Sequence, residues 1–116
     1  MIRTVDMYAE EILKKYEEKA KLISPTRTDI KDACMARFSE NTKIIDKEIL
    51  RKFFRASHED DLFKTIEKCN PEKFRTIQNF LSKKTSITSK KNLDLIAWLI
   101  DFNPRPYSLY RKPKVG

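Results

Sequence analysis

An all-α fold, a compact bundle of about five to six helices with a basic extended C-terminal tail, is what the sequence predicts, and three observations carry that expectation. Apolar residues recur at helical spacing through most of the 116-residue chain, the pattern that gives each helix one buried stripe. Helix-start signals precede several of those stripes: Thr26-x-x-Asp29, Ser57-x-x-Asp60 and Asn70-Pro71. The single glycine is the last residue, which argues against tight hairpins and glycine-rich phosphate loops, since both need positive φ or close backbone approach. Seven Phe and one Trp within 40% apolar content are enough to fill one core without disulfides or metal.

In chain order, Val5, Tyr8, Ala9, Ile12, Leu13, Tyr16, Ala20 and Ile23 form the stripe of a long first helix within residues 1–25. Glu10 with Lys14, Glu11 with Lys15 and Glu17 with Lys21 add pairs one turn apart. Its outer face is neutral, as suits a brace across the domain or a homodimer contact. Ser24-Pro25 ends it, because Pro disfavours helical geometry in the preceding residue. Thr26 and Asp29 then read as a capping box for a second helix with Ile30, Ala33, Cys34 and Phe38 inside, broken by the polar run Ser39-Glu40-Asn41-Thr42.

The third helix is the most informative stretch. Asp46 is its expected N-cap, with Ile45 and Leu50 closing as a hydrophobic staple. Ile49, Leu50, Phe53 and Phe54 fall on one side, which leaves Lys47, Arg51, Lys52 and Arg55 toward solvent with only Glu48 opposing them. Ser57-x-x-Asp60 caps an acidic fourth helix over 59–69 with Leu62, Phe63 and Ile66 inside, and Asn70-Pro71 starts a fifth that buries Phe74, Ile77, Phe80 and Leu81. A basic, hydroxyl-rich connection follows, Lys83-Lys84-Thr85-Ser86-Ile87-Thr88-Ser89-Lys90-Lys91; its ammonium groups beside short hydroxyls suit phosphate contact, and a solvated loop has the same composition. The sixth helix, over 89–102, is nearly all apolar and reads as the central buried one, with Trp98 as a core residue. Asn103-Pro104-Arg105-Pro106 stops it, and the tail over 103–116 is expected to be extended and mobile unless Tyr107, Leu109 and Tyr110 dock back.

The net charge of +8 is clustered. Residues 1–25 balance five basic against five acidic side chains and 57–72 are acidic, whereas 26–56 hold eight basic and five acidic, 73–91 six basic and none acidic, and 103–116 four basic and none acidic. Clustering raises the local potential and permits counterion release from phosphates, so it favours a polyanionic partner.

The order of elements resembles the helix-turn-helix domains of the lambda-repressor and Cro type, in which a short helix supports a second that enters the major groove. Two blocks carry the likeness. Ile45-Asp46-Lys47-Glu48-Ile49-Leu50-Arg51-Lys52-Phe53-Phe54 is similar to the I-S-x-x-T-L-R-R-F-F recognition helix of some divergent bacterial members, and Ser89-Lys90-Lys91-Asn92-Leu93-Asp94-Leu95-Ile96-Ala97-Trp98-Leu99-Ile100-Asp101-Phe102 to their S-x-x-T-L-x-x-L-A-x-x-L-G-F closing helix. The chain departs from that pattern where an Ala in the supporting helix is followed by a turn Gly and a buried aliphatic: counted from Ala33, those positions are Arg37 and Lys43. Asp101 stands at the closing Gly, and residues 57–88 read as an insertion. The resemblance implies one helical domain over 1–102, with a helix-turn-helix unit at 26–56 and a closing helix at 89–102. It also implies duplex DNA facing Lys47, Arg51, Lys52 and Arg55, and phosphates gripped by Lys83, Lys84, Lys90 and Lys91.

Chemistry has little support in the residues. His58 is the only histidine and sits in a Ser-His-Glu-Asp-Asp helix start, where a capping role is expected; no nucleophile elbow, Walker loop, paired-Cys zinc pattern or HExxH occurs. Cys34 and Cys69 read as buried thiols in a reducing cytosol. No apolar run approaches eighteen residues. The expectation is therefore a cytoplasmic, non-enzymatic DNA-binding domain, a transcriptional regulator or DNA-associated accessory protein, without cofactor, metal, membrane or small-molecule substrate. RNA binding through the Lys/Tyr-rich tail, and an adaptor role through the first helix or the acidic helix 59–69, are the alternatives.

Overall fold

The structure, a computed structural model, describes residues 3–19, 25–40, 42–86 and 88–112. Among them no strand occurs, and the chain runs α1 (Val5–Lys19), α2 (Arg27–Glu40), α3 (Ile44–Phe54), α4 (Leu62–Lys68), a 3₁₀ turn (Pro71–Phe74), α5 (Arg75–Leu81), α6 (Lys90–Leu99) and α7 (Tyr107–Tyr110). No helix of the described residues is long and apolar enough to cross a membrane.

The helix starts follow the local chemistry with two exceptions. Thr26 and Asp29 form a reciprocal capping box, each side chain accepting from the other's backbone N–H at 3.0 and 2.9 Å. Asn70 accepts from Glu72 N–H with Pro71 behind it, and Ser89 accepts from Asn92 N–H. The first exception is α4: Ser57 N–H does donate to Asp60, but within a turn, and Asp61 is the N-cap, accepting from Lys64 N–H. The second is α3, which begins at Ile44, three residues before its expected first position. Lys43 occupies the cap position with no side-chain hydrogen bond, and Asp46 lies inside the first turn, 1% exposed. Its carboxylate is taken by Arg105, so it neither caps nor permits the staple; Ile45 faces outward.

Core positions largely match the periodicity. Tyr8, Ile12, Ile30, Cys34, Ile49, Leu50, Phe53, Phe54, Leu62, Ile66, Phe74, Ile77, Phe80 and Leu81 are all buried, and Trp98 is completely so. Ala33 is exposed, because the seam of α2 runs through Ile30 and Cys34 to the half-buried Phe38, whose ring meets Phe63. Cys69 is half-buried beside the core and Cys34 fully buried; both are free thiols. Ala20 and Ile23 of the expected first stripe, and Lys21 of the expected pair with Glu17, lie outside the described residues. α6 is the hub, packed by α1, α2, α3, α5 and α7, with α3 as its main neighbour. α3 otherwise rests on α4, while α2 rests mainly on α4 and the 3₁₀ turn.

One glycine at the terminus leaves other residues to close the helices. Arg55, Lys83 and Asp101 each take the left-handed conformation, with φ of 54°, 62° and 55°. In every case the next N–H reaches back five residues: Ala56 to Arg51, Lys84 to Asn79, Phe102 to Ala97. This is the helix-ending geometry that glycine usually supplies, and at Asp101 it occupies the place where the resembled closing helix has its Gly.

The expected extended tail is corrected over 103–112. The chain turns at Pro104 and Pro106 and folds back as α7, so that Tyr110 is buried and Tyr107 half-buried, both against the ring of Tyr8. Leu109 stays exposed. Burial of the Tyr107 and Tyr110 rings against Tyr8 outweighs the charge that made this segment look like a solvated tail.

Candidate nucleic-acid interface

α3 carries the expected basic side chains on a helix whose inner face is fixed by Ile49, Leu50, Phe53 and Phe54. The outer face is not uniform. Lys52 and Arg55 are exposed and Lys47 half-exposed, none with an ion-pair partner among the described residues. Arg51 departs from the expectation: it is half-buried, its Nη1 donates to Glu48 at 3.2 Å, and its Nε is buried with no hydrogen-bond partner. The connection to α4 turns back along that side and brings His58 within 3.7 Å of Glu48. Paired with Glu48 and only 18% exposed, the Arg51 side chain does not stand on the open face.

The second basic block divides. Lys83 turns to α1 and pairs with Glu17 at 2.7 Å. Lys84 and Lys91 are exposed without an ion-pair partner among the described residues, and Lys90 lies 5.2 Å over the Tyr107 ring. Packing of α3 on α6 does bring part of the two blocks together. Asp94, on α6, feels the charges of both Lys52, on α3, and Lys90, at the start of α6. The helices run antiparallel: Arg105 links Asp46 at the start of α3 to Asp101 past the end of α6, while Lys52 late in α3 acts on Asp94 early in α6.

Asp94 and Arg105 organise this region, and neither stands among the expected site residues. Asp94 Oδ1 accepts from the Tyr8 hydroxyl at 2.7 Å and from the Tyr107 N–H at 2.8 Å. Burial pushes its carboxyl above the ordinary value, against those two hydrogen bonds and the two lysines. Burial and then the charge of Asp94 push the Tyr8 phenol well above its usual range. Arg105 donates from Nε and Nη2 to both oxygens of Asp46 at 2.9 and 3.0 Å, and from Nη1 to Asp101, the Phe102 carbonyl and Asn103. The hydrogen bond to Asp46 raises the guanidinium above its ordinary value. The same interactions hold the Asp101 carboxyl below its usual range, the Arg105 hydrogen bond first. Lys73 adds a cation near the end of α3, 5.2 Å over the Phe53 ring.

A signal for Asp94 was present: it is the one acidic residue between Lys73 and Ile100, set between Leu93 and Leu95 in the most apolar helix, where an acid implies a partner. Tyr107 and Tyr110, one turn apart behind a proline, were equally a sign of a short docked helix. Nothing local pairs Arg105 with Asp46, fifty-nine positions away. No group of three or more His, Cys, Asp or Glu among the described residues is placed to hold a metal.

Compared with known proteins, the chain matches no family model, no curated protein and no solved structure.

Proposed function

We propose that the protein is a non-enzymatic binder of duplex DNA, a transcriptional regulator or DNA-associated accessory protein, that meets the phosphate backbone with the outer face of α3 and the start of α6. The observation that carries this reading is the packing of α3 on α6, through which Lys52 and Lys90, from two sequence-distant basic segments, both act on the charge of Asp94. Lys47, Arg55 and Lys91 extend it as cations without ion-pair partners among the described residues. Neither Lys52 nor Lys90 has an ion-pair partner among the described residues, so phosphates can balance their charge while releasing counterions. Arg51 contributes by holding the helix surface through Glu48, and Lys83 by bracing α1, so neither is assigned to the phosphate face. The helix-turn-helix resemblance supplies the orientation, α3 toward the major groove. Affinity for mixed-sequence duplex should fall steeply between low and moderate salt, measured by fluorescence anisotropy; salt-independent binding, or stronger binding to single-stranded RNA, argues against it.

A groove between α1 and α5, lined by Ala9, Leu13 and Phe80 with Asp6, Glu10 and Lys83 at its rim, favours the adaptor as a second reading. Light scattering that shows a dimer, together with indifference to heparin and duplex, would select it.

A further inference from the structure

A cavity of about 300 Å³ opens between α5 and the start of α6, lined by Thr76, Asn79, Thr85, Thr88, Ser89 and Asn92. Its volume is at the lower end of the range for small-molecule sites, and every lining side chain is a hydroxyl or a carboxamide. The hydrogen bonds around it fix which way these groups can act. Asn92 Nδ2 donates to Thr76 Oγ1 at 3.0 Å and to Thr88 Oγ1 at 2.8 Å, and the Asn92 N–H donates to Ser89 Oγ at 3.3 Å. Three hydroxyl oxygens are thus already accepting, while their own O–H groups donate to nothing among the described residues. The side chains of Asn79 and Thr85 have no hydrogen-bond partner there either. The cavity therefore presents donors in surplus, and its complement is a ligand made mainly of acceptors.

Charge narrows the choice. No Asp or Glu occurs from Lys73 to Leu93, and Lys84 and Lys91, each next in the chain to a lining residue, are exposed without an ion-pair partner among the described residues. A positive potential with no competing carboxylate favours an oxyanion over a neutral acceptor. Hydroxyls, carboxamides and lysines are also the side chains that contact phosphate oxygens. The donors come both from α5 and from the connection into α6, so an anion with three free oxygens can meet them together, as a terminal phosphate does. A phosphodiester has only two, and in a duplex its neighbours along the strand hold it away from a concave site. We infer that this cavity binds the terminal phosphate of a small phosphomonoester, a site separate from the duplex-binding reading and independent of it.

Amide chemical shifts followed during titration with inorganic phosphate and with glycerol 3-phosphate, at constant ionic strength set by chloride, test the inference. Both should saturate one site, with the largest shifts at Thr76, Thr88 and Asn92, and glycerol should move nothing. Thr85→Val removes a hydroxyl that makes no internal hydrogen bond, so it should melt like wild type and bind glycerol 3-phosphate about tenfold more weakly; Thr76→Val with Thr88→Val should lose about tenfold for each hydroxyl. No saturable binding, shifts centred elsewhere, or wild-type affinity in the folded Thr85→Val variant overturns the inference. Duplex affinity that falls as far as glycerol 3-phosphate affinity in these variants assigns the cavity to strand phosphates and overturns it too. Monoester binding that is lost in the variants while duplex affinity stays as in wild type supports it, and so does monoester binding by a protein that binds no duplex.

Discussion

At residue scale, Arg105 carries a charge into the interior and meets Asp46 through two parallel hydrogen bonds, with both side chains almost fully buried. Such a pair contributes little net stability over an apolar replacement, but loss of one partner leaves a buried charge uncompensated. Arg105→Met or Asp46→Leu alone should therefore cost about 3–5 kcal/mol, and the two together should recover most of that loss in a denaturant melt. Additive losses would mean the partners act separately. Asp94 supplies a pH test. Its carboxyl lies above the unfolded value because burial outweighs the hydrogen bonds and lysine charges that hold it down. A carboxyl raised on folding stabilises the protein fully only below its unfolded value and loses that contribution as pH rises through the folded one. Asp94→Asn keeps an acceptor for Tyr8 and the Tyr107 N–H, so it should melt near wild type in acid and above it at neutral pH. A constant gap across that range contradicts this account.

At the scale of the element, three helices end on left-handed Arg55, Lys83 and Asp101. A side chain in that conformation costs roughly 1 kcal/mol, which glycine avoids. Arg55→Gly and Lys83→Gly should each stabilise by about 0.5–1 kcal/mol in thermal melts, since the exposed contact between Lys83 and Glu17 is worth little; a loss of stability would show that these side chains hold their turns. Asp101→Gly should instead destabilise, because Asp101 also accepts from Arg105. What the sequence made legible at this scale was whatever depends on near neighbours. The capping box at Thr26, the buried faces of α3 and α5 and the burial of α6 follow from spacing alone. The start of α3 did not, because Asp46 is a fully competent cap whose carboxylate is claimed by a residue far along the chain. Ala33 failed similarly: small and apolar, it fits either face of α2, and only packing decides.

For the whole molecule, the clustering of charge was readable, but not which cations remain free after folding. Glu48 takes Arg51, Glu17 takes Lys83, Glu72 takes Arg27 and Arg75, and Asp101 takes both Arg37 and Arg105. Docking of residues 103–110 removes Arg105 from the surface and sets Tyr107 beneath Lys90. Of the eight expected contact residues, Arg51 and Lys83 are ion-paired, while Lys47, Lys52, Arg55, Lys84, Lys90 and Lys91 have no ion-pair partner among the described residues. The central claim is that Lys52 and Lys90, on different helices, serve one phosphate-binding face. A salt titration of duplex affinity in Lys52→Ala, Lys90→Ala and the double variant tests it most directly. Each substitution should leave the melt nearly unchanged, weaken binding, and lower the slope of log affinity against log salt by about one. Wild-type slope and affinity retained in the folded double variant would contradict the claim.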